Sequence, residues 1–235
     1  MKGEKMDSLP NTVNFNRLKK AEIIWLYTHY CKHGHRYSEH PTCFMEECRE
    51  GLPKEKVGFV DIETSNLNAD FGWIFCYSLK EQGGDMIRRC VTPKEVRGYK
   101  FDEGVMKQFL KDIKGYDRLV GYYSKDRRFD VPFLRTRALK WGLEFPGWRD
   151  LMFSDAFDLV KPKLRLHRNR LEVACDLLGV PSKQHRLNPE IWQRAQAGSK
   201  EALDYIQLHC DEDVLSLEAV FERLNIFGRQ GKTSI

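Results

Sequence analysis

Two acidic residues stand two positions apart in the otherwise apolar segment Val57–Glu63. Side chains alternate along a strand, so Asp61 and Glu63 are expected on one face, about 6.5–7 Å apart. Two carboxylates on one face of a buried strand repel each other unless a cation lies between them. The pattern therefore indicates a metal site, although this segment alone is equally typical of a solvated strand end.

A third acid, Asp213, falls within an apolar helical stripe. The residues that share its face repeat at intervals of three and four: Ile206, Cys210, Leu217, Val220 and Leu224. A carboxylate on such a face is costly unless it is paired, hydrogen-bonded or bound to a metal. The neighbouring Asp211 and Glu212 fall off the stripe, and both are expected to be solvated.

The fourth acid of interest is Asp130, which lies two residues before Pro132 at the start of a predicted helix. An aspartate at this position is a good helix N-cap, because its side chain can accept a backbone hydrogen bond. A cap is the simpler interpretation of this residue taken alone. Its place between Asp61 and Asp213 in the chain gives the alternative, a further metal ligand.

The runs FVDIETS, GYYSKDRRFDVPFL and HCDEDVLSL follow one another in this order. Together they resemble the three exonuclease motifs of the DEDD superfamily, as found in proofreading domains of B-family DNA polymerases and in free-standing ribonuclease H-like exonucleases. The resemblance covers most of the chain, from the first strand to the last helix, and includes the segment FDLVKPKLRLHRNRLEVACDLLGV. It implies metal-binding carboxylates at Asp61, Glu63, Asp130 and Asp213.

Hydrolysis of a phosphodiester requires a nucleophilic water and stabilisation of charge on the attacking and leaving oxygens. Two divalent ions about 3.5–4 Å apart serve both needs, and Mg²⁺ or Mn²⁺ prefer carboxylate oxygens. The resemblance thus implies a metal-dependent 3′–5′ exonuclease acting on DNA or RNA. Two alternatives remain open, namely an inactive nucleic-acid-binding subunit with the same fold and a structure-selective endonuclease.

His209 departs from the family pattern. One branch of the family has a tyrosine four residues before the last aspartate, and the other has a histidine five residues before it. Here His209 stands four residues before Asp213, with Leu208 at the fifth position. That spacing predicts that His209 lies on the same side of the helix as Asp213. An ordinary pKa of about 6.5 suits a general base, and the alternative is a surface histidine.

Basic residues cluster near these motifs. Five of them lie between the second and third motifs: Lys161, Lys163, Arg165, Arg168 and Arg170. Three more accompany the second motif: Lys125, Arg127 and Arg128. A third cluster holds Lys183, His185 and Arg186. Lysine and arginine bind phosphates without reading sequence, so the first two groups predict nucleic-acid contacts, against the alternative of a solvated face.

A short N-terminal segment is dense in soft metal ligands: Cys31, His33, His35, His40, Cys43 and Cys48. Structural zinc takes four cysteine or histidine ligands, and a small module with little core needs such a constraint. The segment also resembles Cys/His segments that precede exonuclease domains in some phage-like proteins. One structural Zn²⁺ is predicted here, with the four ligands left open. The alternative is a basic, histidine-rich linker.

The order of the predicted elements indicates an α/β fold. A helix over residues 16–30, with Leu18, Ile23, Leu26 and Tyr30 near one face, precedes the Cys/His segment, and residues 1–50 form a first domain. Residues 51–235 form the second, with five strands and helices that include one from Lys200 to Phe227. A ribonuclease H-like mixed sheet flanked by helices is expected.

Bulk composition narrows the class of protein. Hydrophobic residues make up 41% of the 235 residues, which suffices for a packed core, and the net charge of +5 is too small to identify a partner. Neither a run of about 20 apolar residues nor a secretory signal is present. A soluble, cytoplasmic protein of phage type is expected, in which the seven cysteines are metal ligands or free thiols.

Overall fold

The computed structural model describes residues 20–40, 43–44, 56–126, 128–147 and 150–227. The backbone divides into two compact units, Met1–Glu55 and Lys56–Ile235. Residues 45–55 lie outside the described part of the chain. The predicted domain boundary between residues 50 and 51 therefore remains a prediction.

The first unit begins, within its described part, with helix α1, Lys20–Thr28. A tight turn follows, closed by a single antiparallel bridge between Tyr30 and Arg36. Five buried residues form its small core: Leu26, Cys31, Tyr37, Cys43 and Phe44. The half-buried Trp25 packs against them.

The face predicted for this helix is partly wrong. Leu26 is buried as expected, but Ile23 and Tyr30 are 42% and 57% exposed. Among the side chains of this helix that the structure describes, Trp25 and Leu26 contribute to the small core, whereas Ile24 and Tyr27 are exposed. Residues 16–19, which include Leu18, lie outside the described residues.

The second unit is built on one five-stranded mixed sheet. Its strands are β1 Val57–Thr64, β2 Ile74–Glu81, β3 Met86–Cys90, β4 Arg118–Gly121 and β5 Met152–Asp155. In space they run β3-β2-β1-β4-β5. The β1–β2 and β2–β3 pairs are antiparallel, whereas β1–β4 and β4–β5 are parallel. The apolar start of β1 suits its central place, since both of its faces are covered.

Helices cover both faces of this sheet. Their bounds are α2 Pro93–Arg97, α3 Glu103–Asp112, α4 Asp130–Lys140, α5 Phe157–Lys163, α6 Leu171–Leu178, α7 Pro189–Gln196 and α8 Lys200–Leu224. The predicted mixed sheet flanked by helices is confirmed. Helices α2 and α5 were not predicted, because each is too short for a periodic pattern and each contains a proline.

Strand β2 shows how its two faces differ. Tyr77 stacks edge-on against Phe109 of α3, with ring centroids 5.1 Å apart. The next residue, Ser78, points the other way and donates a hydrogen bond to Asp211 of α8 at 2.5 Å. Helices α3 and α8 therefore lie on opposite faces of the sheet.

Helix α8 is the long helix predicted at the end of the domain. Its N-cap, Ser199, accepts a hydrogen bond from the Ala202 backbone N–H, as expected for a serine at this position. The apolar stripe is buried at Ile206, Cys210, Leu217, Val220 and Leu224. A single 3₁₀ turn, Asn225–Phe227, continues the helix, and the predicted stop at Gly228 lies outside the described residues.

A buried ion pair connects three elements of the core. Asp102, just before α3, accepts hydrogen bonds from Arg137 of α4 at 2.7 Å and from the Ile74 backbone N–H of β2 at 3.0 Å. The indole N–H of Trp141 donates to the same carboxylate at 2.9 Å. Both charged side chains are almost fully buried. These hydrogen bonds therefore offset part of the free-energy cost of removing the two charges from water.

Among the described residues, each helix is too short or too polar to cross a lipid bilayer.

Candidate active site

Strand register brings the first two acids under helix α8. Asp61 lies opposite Ser78 and Glu63 opposite Cys76 in the antiparallel β1–β2 pair. Directly opposed residues share a face of the sheet, and Ser78 already identifies that face as the one that α8 covers. The Cys210 thiol of α8 donates a hydrogen bond to the Asp61 carbonyl at 3.4 Å. The helix therefore crosses over the two acids.

The four predicted acids lie within electrostatic reach of one another. Burial raises the pKa of Asp61 well above its ordinary value, and the charges of Asp213, Glu63 and Asp130 raise it further. Burial likewise raises the pKa of Glu63 to about 8, with Asp213 and Asp130 adding to the rise and Lys183 opposing it. Without a cation, this cluster resists full ionisation.

Asp213, Glu63 and His209 form the tightest group of the site, with ligand atoms within 4.8 Å of one another. His209 Nε2 lies 3.4 Å from Glu63 Oε1 and 3.4 Å from Asp213 Oδ2. One turn of α8 separates His209 from Asp213, which places both side chains on the same side of the helix. The spacing noted in the sequence therefore brings the histidine to the acids.

The backbone fixes the orientation of the His209 ring. Its Nδ1 is hydrogen-bonded to the backbone carbonyl of His185, and a carbonyl can only accept, so Nδ1 carries a proton. In the neutral ring Nε2 is then free to accept a proton. Burial lowers the pKa of His209 although Asp213 acts in the opposite direction, so the neutral form is favoured.

Asp130 is the first residue of α4 and does not cap it. The N-cap position belongs to Phe129, and no side chain caps this helix. The Asp130 carboxylate accepts a hydrogen bond from the Ser124 hydroxyl. Burial raises the pKa of Asp130 to about 7, the Ser124 hydrogen bond lowers it and the charge of Asp155 adds to the rise. The capping alternative is thus not what the structure shows.

Asp155, at the end of β5, holds the loop that carries Ser124. Its carboxylate accepts hydrogen bonds from the backbone N–H groups of Tyr123 and Ser124, both at 2.8 Å, and of Phe157 at 2.9 Å. Tyr123 has a positive φ of 60°, a strained conformation for a tyrosine. The sequence pattern does not single out Asp155, since an aspartate ending a short strand is common and its partners come from a separate loop.

A small residue is required beneath that loop. A Cβ at Gly121 would collide with the side chain of Ser124. Glycine at the end of β4 therefore lets Ser124 reach the Asp130 carboxylate.

The segment after α6 places Lys183 beside the acids. Lys183 Nζ lies 2.9 Å from Asp213 Oδ2 and 3.4 Å from His209 Nε2. Burial would lower the pKa of Lys183, but Asp213, Asp61 and Glu63 raise it overall. The sequence suggested only a general basic cluster here, because nothing in the local pattern shows that this segment folds back onto α8.

The predictions for Asp211 and Glu212 are wrong, since neither is simply solvated. Asp211 is 7% exposed, accepts hydrogen bonds from Ser78 and Gln207, and pairs with Arg88 of β3. Glu212 accepts hydrogen bonds from the backbone N–H and the ring of His185, at 3.0 and 2.7 Å. It thereby holds the segment that positions Lys183.

The basic residues fall into two groups. Lys125 and Arg128 both pair with Asp158, and Arg128 also pairs with Asp155 at 2.5 Å. The five residues of the second group are exposed around and beyond the end of α5: Lys161, Lys163, Arg165, Arg168 and Arg170. Arg127 lies outside the described residues. The second group is therefore the one that presents its charge to solvent.

An open cleft of about 670 Å³ adjoins the acids. It extends from His209 and Lys183 to Arg170, and the rings of Tyr123 and Phe157 line it. Tyr123 is 51% exposed, so one aromatic face is available in the cleft. Charged and aromatic side chains therefore both line this cleft.

In the first unit, four of the six predicted zinc ligands come together. The ligand atoms of Cys31, His33, His40 and Cys43 lie within 4.8 Å of one another. Burial would raise the pKa of the Cys31 thiol, but hydrogen bonds from the His40 ring and from the backbone N–H groups of His33 and His35 lower it to about 6. His35 is not part of the group, and Cys48 lies outside the described residues.

A family model described as RNase_H superfamily matches residues 58–225. The matched range contains the acid cluster and His209. The chain belongs to the RNase H superfamily. Membership supports a nuclease-type function, a nucleic-acid partner and the use of divalent metals.

A solved structure agrees with this RNase H assignment. The chain is similar to the family B DNA polymerase from the hyperthermophilic archaeon Pyrobaculum calidifontis, with a TM-score of 0.54 and 19% sequence identity. The match covers 75% of this chain and 25% of the polymerase chain, so it spans only about a quarter of that protein. At this identity the likeness shows the RNase H-like fold alone. No curated protein matches the chain.

Proposed function

We propose that the chain is a metal-dependent 3′–5′ exonuclease that hydrolyses phosphodiester bonds of DNA or RNA. The observation that carries the proposal is the convergence of acids from β1, α4 and α8 on one cluster with His209, in which Asp130 is buried and the other three acids are half-buried. Two of the acids lie on β1, one begins α4 and one lies on α8. The charges of the other three raise the pKa of Asp61, and the charges of Asp213 and Asp130 raise the pKa of Glu63. Such a cluster costs stability unless cations or positively charged groups compensate it.

The cluster fits divalent cations on its own chemistry. Asp61, Glu63, Asp130 and Asp213 would hold two Mg²⁺ or Mn²⁺ ions, for which carboxylate oxygens are the preferred protein ligands. When bound, two such ions activate water and neutralise charge on the attacking and leaving oxygens. The raised pKa values of Asp61 and Glu63 reflect the repulsion and desolvation that cations would relieve.

Two further side chains would act on the substrate directly. His209 Nε2 would accept the proton of the attacking water, because Nδ1 is committed to the His185 carbonyl. The ammonium group of Lys183 stands beside Asp213 and would attract a phosphate oxygen. Both groups lie at the inner end of the cleft.

The cleft suits the end of a single strand. The exposed ring of Tyr123 offers a surface on which a base can stack. Arg170 lines the same cleft, and the exposed basic residues that precede it in the chain would contact backbone phosphates. A structural Zn²⁺ in the first unit completes the set of metals that we propose.

A cleavage assay tests the proposal. The full chain is incubated with single-stranded DNA or RNA labelled at either end, with Mg²⁺, with Mn²⁺ or with a chelator. Release of mononucleotides from the 3′ end, only with metal, is expected. Asp61→Asn should reduce cleavage to background, whereas Asp85→Asn, a change at an exposed acid between β2 and β3, should leave it unchanged.

Two other outcomes would contradict the proposal in distinct ways. Internal fragments without progressive shortening would indicate a structure-selective endonuclease. Tight binding of both nucleic acids without cleavage under any metal would indicate a binding subunit that lacks activity.

A further inference from the structure

The donor atoms of the Cys/His group have separations close to those of a tetrahedral metal site. His33 Nδ1 lies 3.0 Å from Cys43 Sγ, and His40 Nδ1 lies 4.0 Å from Cys31 Sγ. Zinc bonds of about 2.3 Å to sulfur and 2.0–2.1 Å to nitrogen put tetrahedral ligands on the order of 3.3–3.8 Å apart. Small side-chain adjustments would therefore bring all four donors to bonding distance of one ion.

The turn that follows α1 places two of the four donors, Cys31 and His33. Cys31 N–H donates to the His35 carbonyl at 2.8 Å, and Gly34 N–H donates to the Cys31 carbonyl at 2.9 Å. Gly34 has a φ of +78°, which glycine adopts readily and other residues rarely do. This tight turn folds His33 back beside Cys31.

The same turn supports the Cys31 sulfur from outside the donor group. The backbone N–H groups of His33 and His35 donate hydrogen bonds to it. Hydrogen bonds of this kind orient a ligand and stabilise a thiolate, which is the form that binds metal. A buried free thiol in an ordinary core needs no such donors.

The other two donors are His40 and Cys43. Cys43 N–H donates to the His40 carbonyl at 3.1 Å, which puts the two residues one helical turn apart on the same side. His40 is in turn held by its own N–H, which donates to the Arg36 carbonyl at 3.0 Å. Donors that are seven to twelve positions apart in the chain thus meet from two separate turns.

The unit has little else to hold it together within its described part. Two of the five residues of its core are the cysteines themselves, and the remainder is Leu26, Tyr37 and Phe44. So small an apolar core does not normally stabilise a fold without a disulfide or a metal. Neither Cys31 nor Cys43 forms a disulfide.

We propose that Cys31, His33, His40 and Cys43 bind one structural zinc ion, both histidines through Nδ1, and that His35 is not a ligand. Two sulfur and two nitrogen donors favour zinc over the hard cations of the acid cluster. The ion fixes the two turns to each other and to α1. This inference does not depend on the nuclease activity, and its test measures metal content and spectra instead of cleavage.

The matched variants are His40→Ala and His35→Ala, which alter two nearby histidines of which only His40 is a proposed ligand. Elemental analysis of the full chain, purified without added metal, should give one zinc per chain for the wild type, His35→Ala and Cys48→Ser. His40→Ala and Cys43→Ser should lose it. Absence of zinc from the wild type would overturn the site, and loss in His35→Ala or retention in Cys43→Ser would overturn the ligand set.

Cobalt substitution keeps the test decisive if a variant fails to fold. The wild type reconstituted with Co²⁺ should show the intense visible bands of a tetrahedral ion and thiolate-to-cobalt charge transfer. His33→Cys replaces a nitrogen donor by sulfur, so it should still bind Co²⁺ with a stronger charge-transfer band. An unchanged spectrum in His33→Cys would exclude His33 as a ligand.

Discussion

The two ring nitrogens of His209 have different partners, so its proposed role as a base at Nε2 can be separated from its hydrogen bond at Nδ1. An alanine substitution would remove both at once. Nδ1 holds the His185 carbonyl, whereas Nε2 faces Glu63 and Asp213. His209→Asn keeps an N–H donor near the position of Nδ1 and removes Nε2. With metal saturating, we expect kcat to fall by about 10²–10⁴, the usual share of a general base, as measured by initial rates on a 3′-labelled strand.

The control for this prediction is His167→Asn, at an exposed histidine of the basic segment, which should leave kcat unchanged. Near-wild-type turnover in His209→Asn would show that the histidine only positions the segment of His185. In that case the activation of water would need no side-chain base.

Single residues differ in how far the sequence could predict them. Asp213 was predicted because its apolar neighbours on α8 make a carboxylate there unusual. Asp211 was misjudged because its partners, Ser78 and Arg88, come from β2 and β3. A helical pattern shows which face a residue occupies, but it does not show what another element brings to that face.

At the scale of elements, the Asp102–Arg137 pair joins α3, α4 and β2. Because both groups are buried, Asp102→Ala would leave the Arg137 charge without its partner, and the free energy of unfolding should fall by about 3–5 kcal/mol. Urea denaturation measures this loss. The exposed pair Asp126–Arg135, at 2.8 Å, is the matched control, and Asp126→Ala should cost about 0–1 kcal/mol.

A loss below about 1 kcal/mol in Asp102→Ala would contradict this role. The double variant Asp102→Ala with Arg137→Met removes the stranded charge as well, and should recover part of the stability.

The sequence predicted the elements of the sheet better than their short connections. Strands β1 and β2 are marked by long apolar runs, and α8 by a long periodic stripe. Helix α2 depends instead on a capping box, in which Thr92 and Glu95 exchange hydrogen bonds, and that local signal was overlooked. The segment that carries Lys183 has no periodic pattern at all, since contacts with α8 determine its path.

For the whole molecule, the acid cluster couples metal binding to pH. The folded-state pKa values of Glu63, about 8, and Asp130, about 7, exceed the ordinary values of these groups. At these two groups the folded chain without metal binds more protons than the unfolded chain, so their contribution to stability should fall as pH rises from about 5 to about 8. Divalent cations compete with those protons, so Mn²⁺ should raise Tm more at pH 8 than at pH 6.

Thermal unfolding with and without Mn²⁺ at the two pH values tests this coupling. Asp61→Asn, which removes one of the repelling charges, should lose most of the Mn²⁺ effect at pH 8. A rise in Tm that is equal at both pH values would show that the cations bind elsewhere.

The order of the acids along the chain also determines when the cluster can form during synthesis. Asp61 and Glu63 are made early, but they are joined by Asp213 only after α8 has been synthesised and laid across β1. A nascent chain that ends before residue 213 lacks one of the four carboxylates and the helix that covers the others. Because the proposed substrates include RNA, this arrangement would keep the chain inactive on the ribosome until its synthesis has passed the last acid.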